Sequence, residues 1–268
     1  LKKLFFYLQS ILIKNKIFKY LYFIKSIFFK NKLNLKGPYK DFETAKNKSN
    51  GYDDPVILSK VENAIIDVIE KRARWERDGT TFLTKKPKQK ILEILKKYIN
   101  KDSSIIDFGG GLGGLYINNK ELFNTSNNFY IVEQSNFVDK GRLITKKYKL
   151  PIKFLKTLDN IKFKPNIIVF SSVLQYLPEI NILIKKVNKL QPNHIIIDRT
   201  WFINDLEENW WIQITKNYYS KTITYPISPI SKRFIIKSLK NYKIIDNWVN
   251  PFDPHIPLHK GLLLEKYK

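Results

Sequence analysis

The stretch IIDFGGGLGG, at residues 105–114, joins a short apolar run to a loop rich in glycine. Ile105 and Ile106 are typical of a buried strand, and Asp107 stands where that strand ends. Glycine lets the backbone turn sharply and approach a ligand where a Cβ atom would collide. A helix that starts after the loop would offer free N–H groups to a carboxylate or a phosphate. The stretch therefore predicts a nucleotide-like ligand at the end of a strand, although a purely structural loop could have the same composition.

Short apolar runs alternate with helical or polar stretches from this point on. Five runs have the length and composition of strands that are covered on both faces: Ser104–Phe108, Phe129–Val132, Ile152–Leu155, Ile167–Phe170 and His194–Ile197. This alternation favours a doubly wound parallel sheet. The runs Tyr242–Trp248 and Gly261–Lys266 add two closing strands. We therefore predict an α/β fold with a seven-stranded, mostly parallel sheet and helices on both faces.

The sequence divides into three parts by composition. Residues 1–35 form a basic amphipathic N-terminal extension, and residues 36–100 form a helical lead-in or cap. Residues 101–268 form the main domain, which carries an aromatic-rich insert at about 201–230.

The lead-in contains two stretches with apolar residues at helical spacing. The first predicts a helix from Ser59 to Asp78, in which Ser59 is the N-cap and Glu62 completes a capping box. The second predicts a helix from about Lys88 to Ile99.

The extension at residues 1–35 mixes aromatic and aliphatic residues with lysines. Its longest run without charge, Leu4 to Ile13, is about half of the roughly 20 apolar residues that a spanning helix needs. We therefore expect neither a membrane span nor an export signal. Lysine-rich amphipathic helices can lie on an anionic bilayer. The same residues could instead pack on the domain or on a second copy of the chain, and the sequence leaves both alternatives open.

The chain is strongly basic, with 48 Lys and Arg against 24 Asp and Glu and a net charge of +24. Clustered cations favour nucleic acid or anionic membranes as partners. However, arginine, which nucleic-acid recognition usually favours, is scarce, and the lysines are spread along the chain. We therefore expect no nucleic-acid partner. The absence of cysteine excludes disulfides, zinc–thiolate sites and thiol catalysis.

A second acidic residue supports the nucleotide interpretation of the glycine loop. Glu133 ends the second predicted strand, at the spacing from Asp107 at which a carboxylate accepts hydrogen bonds from ribose hydroxyls. Dinucleotide dehydrogenases use the same arrangement, but their loop is Gly-x-Gly-x-x-Gly. Here glycine recurs at every second position, at Gly109, Gly111 and Gly113, which disfavours a dehydrogenase.

Several further segments, in this order and spacing, resemble a methyltransferase family found in bacterial gene clusters for O-antigen and other surface polysaccharides. The resemblance covers nearly everything after residue 35. It rests on Gly37-Pro38-Tyr39, Gly51-Tyr52-Asp53, the segment from Asp107 to Tyr116, Val132-Glu133-Gln134, Val173-Leu174-Gln175-Tyr176-Leu177 and Asp198-Arg199-Thr200. It implies a class I methyltransferase fold, S-adenosylmethionine as the cofactor, and a saccharide or lipid-linked glycan precursor as the acceptor.

The resemblance also assigns residues to cofactor binding. They are Asp107, Gly109, Gly111, Gly113, Glu133, Gln134, Thr157, Leu158 and Ser171. The loop would surround the methionine and ribose parts, Glu133 would bind the ribose diol, and Gln134 would lie beside the adenine. The third strand is followed by no clear acidic ligand for adenine unless Asp159 serves.

Asp198 and Gln175 are the candidate catalytic residues. Asp198 ends the fifth predicted strand, at the edge of the sheet where ligands bind, and could remove a proton from a sugar hydroxyl. It could equally form an ion pair with Arg199. Ser171, Ser172 and Gln175 would face the sulfonium and the acceptor, or else cap the helix that follows them.

The candidate acceptor-binding residues are aromatic or basic: Tyr39, Arg77, Tyr176, Arg199 and Trp201. Aromatic rings stack on sugar faces, and arginine binds hydroxyls and phosphates, although tryptophans also fill cores. We expect no metal site, because His255, His259 and Asp253 lie in a proline-rich turn and lack the spacing of a metal motif.

These features together predict an enzyme that transfers a methyl group to a saccharide hydroxyl during surface-polysaccharide assembly. An amine or carboxyl acceptor is not excluded. We expect it in the cytoplasm, at the inner face of the cytoplasmic membrane. Two other functions stay open: a non-catalytic scaffold with the same fold, and an RNA methyltransferase that exploits the positive charge.

Overall fold

The computed structural model describes residues 34–52, 54–123, 128–204, 209–216, 221–249 and 259–267. The predicted extension, residues 1–35, lies outside the described residues except for its last two. None of the helices in these ranges has the length and apolar character that crossing a bilayer requires.

The described residues before the main sheet form, in chain order, β1 (Leu35–Tyr39), α1 (Phe42–Asn47), α2 (Pro55–Ile69), β2 (Trp75–Arg77), β3 (Thr80–Phe82) and α3 (Lys90–Tyr98). The lead-in that we predicted to be helical therefore also contains short strands.

The next part of the chain alternates strands with helices, as its apolar runs predict. Its elements are β4 (Ser104–Phe108), α4 (Gly114–Ile117), α5 (Lys120–Phe123), β5 (Asn128–Val132), α6 (Ser135–Tyr148), β6 (Ile152–Leu155), β7 (Ile167–Ser171), α7 (Ile180–Leu190) and β8 (His194–Ile203). Single 3-10 turns at Leu158–Asn160 and Leu174–Tyr176 follow β6 and β7.

The remaining elements are β9 (Trp210–Thr215), β10 (Ile223–Ile227), β11 (Ile230–Ser231), α8 (Lys232–Ser238), β12 (Tyr242–Val249) and β13 (His259–Lys266).

The main sheet has the strand order β12-β13-β8-β7-β4-β5-β6, and the short β11 pairs with the end of β8. Strands β4 to β8 are parallel, whereas β13 runs antiparallel to both β8 and β12. This topology confirms the predicted class I fold. The chain moves from β4 outward to β6 on one side and then returns to β7 and β8 on the other. The boundary between β4 and β7 is therefore a topological switch point, where ligands bind in open α/β sheets.

Both faces of the sheet are covered at its centre, which explains why β7 is apolar on both faces. Successive residues of β7 alternate between the two faces. Ile167 and Val169 pack with helices α2, α3 and α6 in one core cluster. Ile168 and Phe170 pack with helices α7 and α8 in the other.

Helix α2 begins and ends earlier than predicted. The Asp54 side chain accepts a hydrogen bond from the Val56 backbone N–H at 3.0 Å, and Pro55 occupies the first turn. Aspartate at the N-cap and proline at the first position are a favourable helix start. The predicted N-cap at Ser59 is therefore wrong, because Ser59 lies inside the helix. The predicted end at Asp78 is also wrong, because the helix stops at Ile69.

A β-hairpin, β2–β3, replaces the predicted last turns of that helix. Trp75 pairs with Phe82 and Arg77 with Thr80 across the two strands. The turn residues Asp78 and Gly79 have φ angles of 50° and 80°, as a type I′ turn requires. The Trp75 ring stacks on Phe82 with 3.9 Å between ring centroids. We call residues 75–82 the N-terminal hairpin.

The aromatic insert forms a separate small sheet. Strands β1, β9 and β10 are antiparallel in the order β1-β9-β10. The small sheet lies against the 3-10 turn after β7, since the Tyr176 hydroxyl donates to Gln213 Oε1 at 3.2 Å and the Tyr176 ring meets Tyr225 edge-on at 5.4 Å. The insert thus brings aromatic residues to the carboxyl edge of the main sheet.

Candidate active site

The glycine loop lies between β4 and α4, at the topological switch point. Gly109, Gly111 and Gly113 have φ angles of 72°, 57° and 95°. A Cβ atom on Gly109 would overlap Val173, and one on Gly113 would press on Ile131 of the core. A Cβ atom on Gly111 would meet nothing within 4 Å. The outer glycines therefore serve packing, whereas Gly111 borders the open space in front of the loop.

The helix after this loop is shorter than the sequence suggests. α4 has only four residues, and Gly113 at its N-cap has no side chain that could accept a hydrogen bond from the first turn. A single turn contributes little macrodipole. The predicted contribution of a helix N-terminus to ligand binding is therefore weak, and the charges around the loop become the main electrostatic feature.

Asp107 is the fourth residue of β4, and Glu133 directly follows the neighbouring strand β5. Asp107 is 3% exposed. Burial raises the pKa of Asp107, the negative charge of Glu133 acts in the same direction and the positive charge of Arg199 opposes both, so that the resulting pKa is about 7. Glu133 is half-buried, and its Oε2 accepts a hydrogen bond from the Gln134 backbone N–H at 2.6 Å. The edge of the sheet at β4 and β5 therefore concentrates negative charge.

The predicted adenine contacts lie at the ends of β5 and β6. Gln134 is exposed at the start of α6. Thr157 caps the 3-10 turn by accepting from the Asp159 N–H at 3.2 Å. Leu158 is buried in the second core cluster. The Asp159 carboxylate accepts from Lys186 Nζ at 2.6 Å, so the candidate acidic ligand for adenine is held in an exposed ion pair.

Asp198 lies inside β8, opposite Ser171 at the carboxyl end of β7, and is 4% exposed. The prediction that Asp198 ends its strand is therefore wrong, because β8 continues to Ile203. Asp198 Oδ1 accepts from Trp248 Nε1 at 2.9 Å, and its Oδ2 accepts from Ser171 Oγ at 3.4 Å. The Trp248 indole lies on Gly261, where a Cβ atom would overlap the ring. These contacts connect Asp198 to β7 and to the two antiparallel strands.

Gln175 is fully buried beside Asp198 and Arg199. Its Nε2 donates to the Arg199 backbone oxygen at 3.2 Å, and its Oε1 accepts no hydrogen bond from the described residues. The 3-10 turn that contains Gln175 has Val173 as its N-cap, without a side-chain hydrogen bond. Neither Ser172 nor Gln175 therefore acts as the helix cap that the sequence allowed.

Arg199 faces the N-terminal hairpin. Its Nη1 lies 3.9 Å from Asp78 Oδ2 at the hairpin tip. Its backbone φ of 47° is unusual for a residue other than glycine. The hairpin thus reaches the carboxyl edge of the sheet at β8.

The structure separates the predicted acceptor residues. Tyr176 and Arg199 lie at the carboxyl edge, next to Gln175. Trp201 lies farther along β8, opposite His259 of β13, and Tyr39 lies on β1, at the edge of the small sheet. The Arg77 guanidinium lies 5.7 Å from the centroid of the Trp75 ring, on the N-terminal hairpin.

Three residues that were not among the candidate site residues also border this site: Glu76, Asp78 and Trp248. The Asp-Gly pair at 78–79 is a strong hairpin signal and could have indicated the first two. No local signal indicates Trp248, because its contact with Asp198 joins residues fifty positions apart.

The structure gives no candidate for a metal site in the ranges that it describes. The turn with Asp253 and His255 lies outside these ranges.

Comparisons with known proteins give matches among solved structures only. No family model and no curated protein matches the sequence. Among solved structures, the PH0226 protein of Pyrococcus horikoshii has 15% identity and a TM-score of 0.49, over 65% of this chain and 87% of that one. An S-adenosylmethionine-dependent methyltransferase of Clostridium acetobutylicum has 13% identity and a TM-score of 0.47, over 66% and 89%.

The N-terminal domain of EvdMO1, whose crystal structure was determined with SAH (S-adenosylhomocysteine) and D-fucose, has 9% identity and a TM-score of 0.46, over 81% of this chain and 98% of that one. No function follows from likenesses at these identities and TM-scores. The fold therefore rests on the strand order of the main sheet.

Proposed function

We propose that the chain is an S-adenosylmethionine-dependent methyltransferase. The observation that supports this most directly is the glycine loop at the switch point of a class I sheet. The backbone at Gly111 borders open space, a Cβ atom on the preceding Gly110 would overlap the Asp107 carboxylate, and the negative charge of Glu133 acts on Asp107. A ligand in this space must lie close to the backbone of the glycine loop. It must also offer hydroxyl groups or a positive charge to the two carboxylates.

The described residues fit this cofactor. Its ribose hydroxyls can donate to Glu133, its adenine can lie between Gln134 and the Thr157–Leu158 turn, and its positive charges suit the acidic loop. Conversely, a dinucleotide pyrophosphate would bring two negative charges towards Asp107. When bound, S-adenosylmethionine would supply a methyl group activated by a positively charged sulfur atom.

Asp198 and its neighbours are suited to the acceptor side of the reaction. An attacking hydroxyl loses its proton, and Asp198, opposite the carboxyl end of β7, is the carboxylate that could accept it. Trp248 and Ser171 would fix the orientation of that carboxylate through their hydrogen bonds. Because methyl transfer is an in-line displacement, such positioning supplies much of the catalysis. Gln175, buried beside Asp198, would help to hold the neighbouring Arg199 backbone in place.

The proposed acceptor is a saccharide or lipid-linked glycan precursor of a surface polysaccharide. The resemblance of the sequence motifs supports this, as do aromatic rings near the site. The Tyr225 ring lies between two others, with its centroid 5.7 Å from that of Tyr52 and 5.4 Å from that of Tyr176. Tyrosine offers a face to a sugar ring and a hydroxyl to its oxygens. We propose that the protein acts at the inner face of the cytoplasmic membrane, where residues 1–35 could contact lipid or a second subunit.

Calorimetry with SAH tests the cofactor part of this proposal. Wild type should bind it, and Glu133→Ala should bind about tenfold more weakly or worse, because a hydrogen-bonded carboxylate is lost. Glu93→Ala removes an exposed carboxylate on α3 and should bind like wild type. A wild type that does not bind SAH would contradict the proposal.

Mass spectrometry of the cell-surface glycan tests the acceptor. Cells that lack the gene should lose one methyl group per modified sugar, and an Asp198→Asn variant should fail to restore it. If the Asp198→Asn and Glu133→Ala variants both restore the glycan, a scaffold is the better explanation. If instead the purified protein binds RNA with a steep dependence on salt, an RNA acceptor is the better explanation.

A further inference from the structure

The N-terminal hairpin is attached directly to the helix that follows the glycine loop. The Glu76 backbone N–H donates to Asn118 Oδ1 at 3.0 Å, and Asn118 Nδ2 donates back to the Glu76 oxygen at 2.9 Å. Next to this pair, Lys86 Nζ donates to Asn119 Oδ1 at 2.8 Å. These bonds fix the hairpin beside α4, so that its side chains have defined positions relative to the loop.

The Glu76 carboxylate lies against the first residue of α4. Glu76 is 7% exposed, and a Cβ atom on Gly114 would overlap its Oε1. Its hydrogen bonds are long and come from neutral donors. Asn118 Nδ2 is 3.4 Å from Oε1, and the Gly79 N–H is 3.3 Å from Oε2. No described Lys, Arg or His forms an ion pair with it.

A buried carboxylate with two long, neutral hydrogen bonds is poorly compensated for its loss of water. Burial raises the pKa of Glu76 and the negative charge of Asp78 acts in the same direction. The two hydrogen bonds and the positive charge of Lys86 only partly oppose them, so that the resulting pKa is about 7. The free-energy cost of removing water from the Glu76 carboxylate would be offset if a positively charged group bound next to it.

The hairpin also extends along the carboxyl edge of the sheet. It begins beside Gly114, next to the glycine loop, and its tip brings Asp78 to within 3.9 Å of Arg199. It therefore lies along the side of the proposed site that faces β4 and β8, where the non-adenine end of a cofactor bound at Glu133 would be.

We propose that Glu76 binds the α-ammonium group of the amino-acid part of the bound cofactor. This inference rests on the proposed function and assigns to the hairpin a part of the cofactor site. An alkylammonium group has three N–H donors, and hydrogen bonds between opposite charges are about twice as strong as neutral ones. Gly114 is required at its position because any side chain there would displace the carboxylate.

Calorimetry with three probes tests the inference. The probes are SAH, its deamino analogue, which keeps the carboxylate but lacks the ammonium group, and 5′-methylthioadenosine, which lacks the whole amino-acid part. Wild type should prefer SAH to the deamino analogue by about tenfold or more. In Glu76→Gln this preference should disappear, while the affinity for 5′-methylthioadenosine should stay within about twofold of wild type.

Glu121→Gln, which changes an exposed carboxylate on α5, is the matched control and should keep the preference. Binding of 5′-methylthioadenosine by Glu76→Gln also shows that this variant is folded. If Glu76→Gln does not fold, Glu76→Asp is titrated with the same probes. It should lose part of the preference for SAH, because its shorter side chain holds the carboxylate farther from the ammonium group.

If Glu76→Gln keeps the preference for SAH, or weakens all three probes equally, the inference is overturned while the proposed function stands. A wild type that binds none of the probes would instead contradict the proposed function, and this inference with it.

Discussion

Asp107 and Asp198 are equally buried but have different surroundings. Asp107, in β4, lies beside the glycine loop and is acted on by the negative charge of Glu133. Asp198, in β8, accepts hydrogen bonds from Trp248 and Ser171. Burial alone therefore does not define what a carboxylate can do in this sheet. The β4 end is arranged to receive positive charge from a ligand, and the β8 end is arranged to hold one side chain in a fixed orientation.

The largest expected effect is at the β4 end. Gly111→Leu should abolish SAH binding, a loss of about a hundredfold or more, because its side chain would fill the open space in front of the loop. Gly51 has a similar φ of 81° but lies in the turn before α2. Gly51→Leu should therefore cost about 1–2 kcal/mol of stability through the same backbone strain and leave binding unchanged. Equal losses of binding in the two variants would contradict the account.

The next effect concerns the charge of Asp107. Its pKa in the folded protein, about 7, lies above the unfolded value of 3.8. The protonated form is therefore favoured by folding, and this stabilisation is complete below about pH 4 and is lost as the pH rises through 7. Asp107→Asn should match wild type at pH 4 and be more stable at pH 8, by roughly 2–4 kcal/mol.

Urea unfolding at both pH values measures this difference. Asp102→Asn, in the exposed turn before β4, is the control for the loss of a surface carboxylate. If Asp107→Asn is instead less stable than wild type at pH 8, the prediction is wrong. The surroundings of Asp107 would then stabilise its charged carboxylate more than burial destabilises it.

A smaller effect is expected at the β8 end. Trp248→Phe removes the N–H that Asp198 Oδ1 accepts and should cost about 1–3 kcal/mol in urea unfolding, because a buried carboxylate oxygen loses its partner. SAH affinity should change by less than about twofold. Gly261→Ala should have a similar effect, since its Cβ atom would displace the indole. Combining the two changes should add little, because both break the same contact.

The smallest effect is expected at the hairpin tip. The Asp78 side chain is 55% exposed and its contact with Arg199 is 3.9 Å long. Exposed ion pairs are worth about 0–1 kcal/mol. Asp78→Asn should therefore lower the free energy of unfolding by less than about 1 kcal/mol. This loss should be larger at low salt than at high salt, because salt screens the ion pair. A larger loss would mean that the tip, rather than Asn118, attaches the hairpin to the domain.

The strands of the sheet could be predicted closely because each is a short apolar run with polar ends. Ser104–Phe108 and Ile152–Leu155 were predicted exactly. β8 continues to Ile203, six residues beyond its predicted end at Ile197, because its second half pairs with β13 and β11. Such pairing depends on distant parts of the chain and leaves no local pattern.

The N-terminal hairpin was missed because the helical spacing of α2 was extended past Ile69. The helix stops at Ile69, and Lys71, whose φ is 61°, turns the chain away from the helix axis. The chain turns again at Asp78 and Gly79. The Asp-Gly pair carried this information, but Trp75 and the charged residues around it also suit a helix. The positions of Glu76 and Trp248 at the site depend on Asn118 and Gly261, which are far away in sequence.

The most direct test of the central claim is a pair of calorimetric titrations of wild type, one with SAH and one with NAD⁺. The acidic loop around Asp107 and Glu133 predicts that SAH binds with one molecule per chain and that NAD⁺, with its pyrophosphate, does not. Binding of NAD⁺, or of neither ligand, would contradict the assignment of the glycine loop to S-adenosylmethionine.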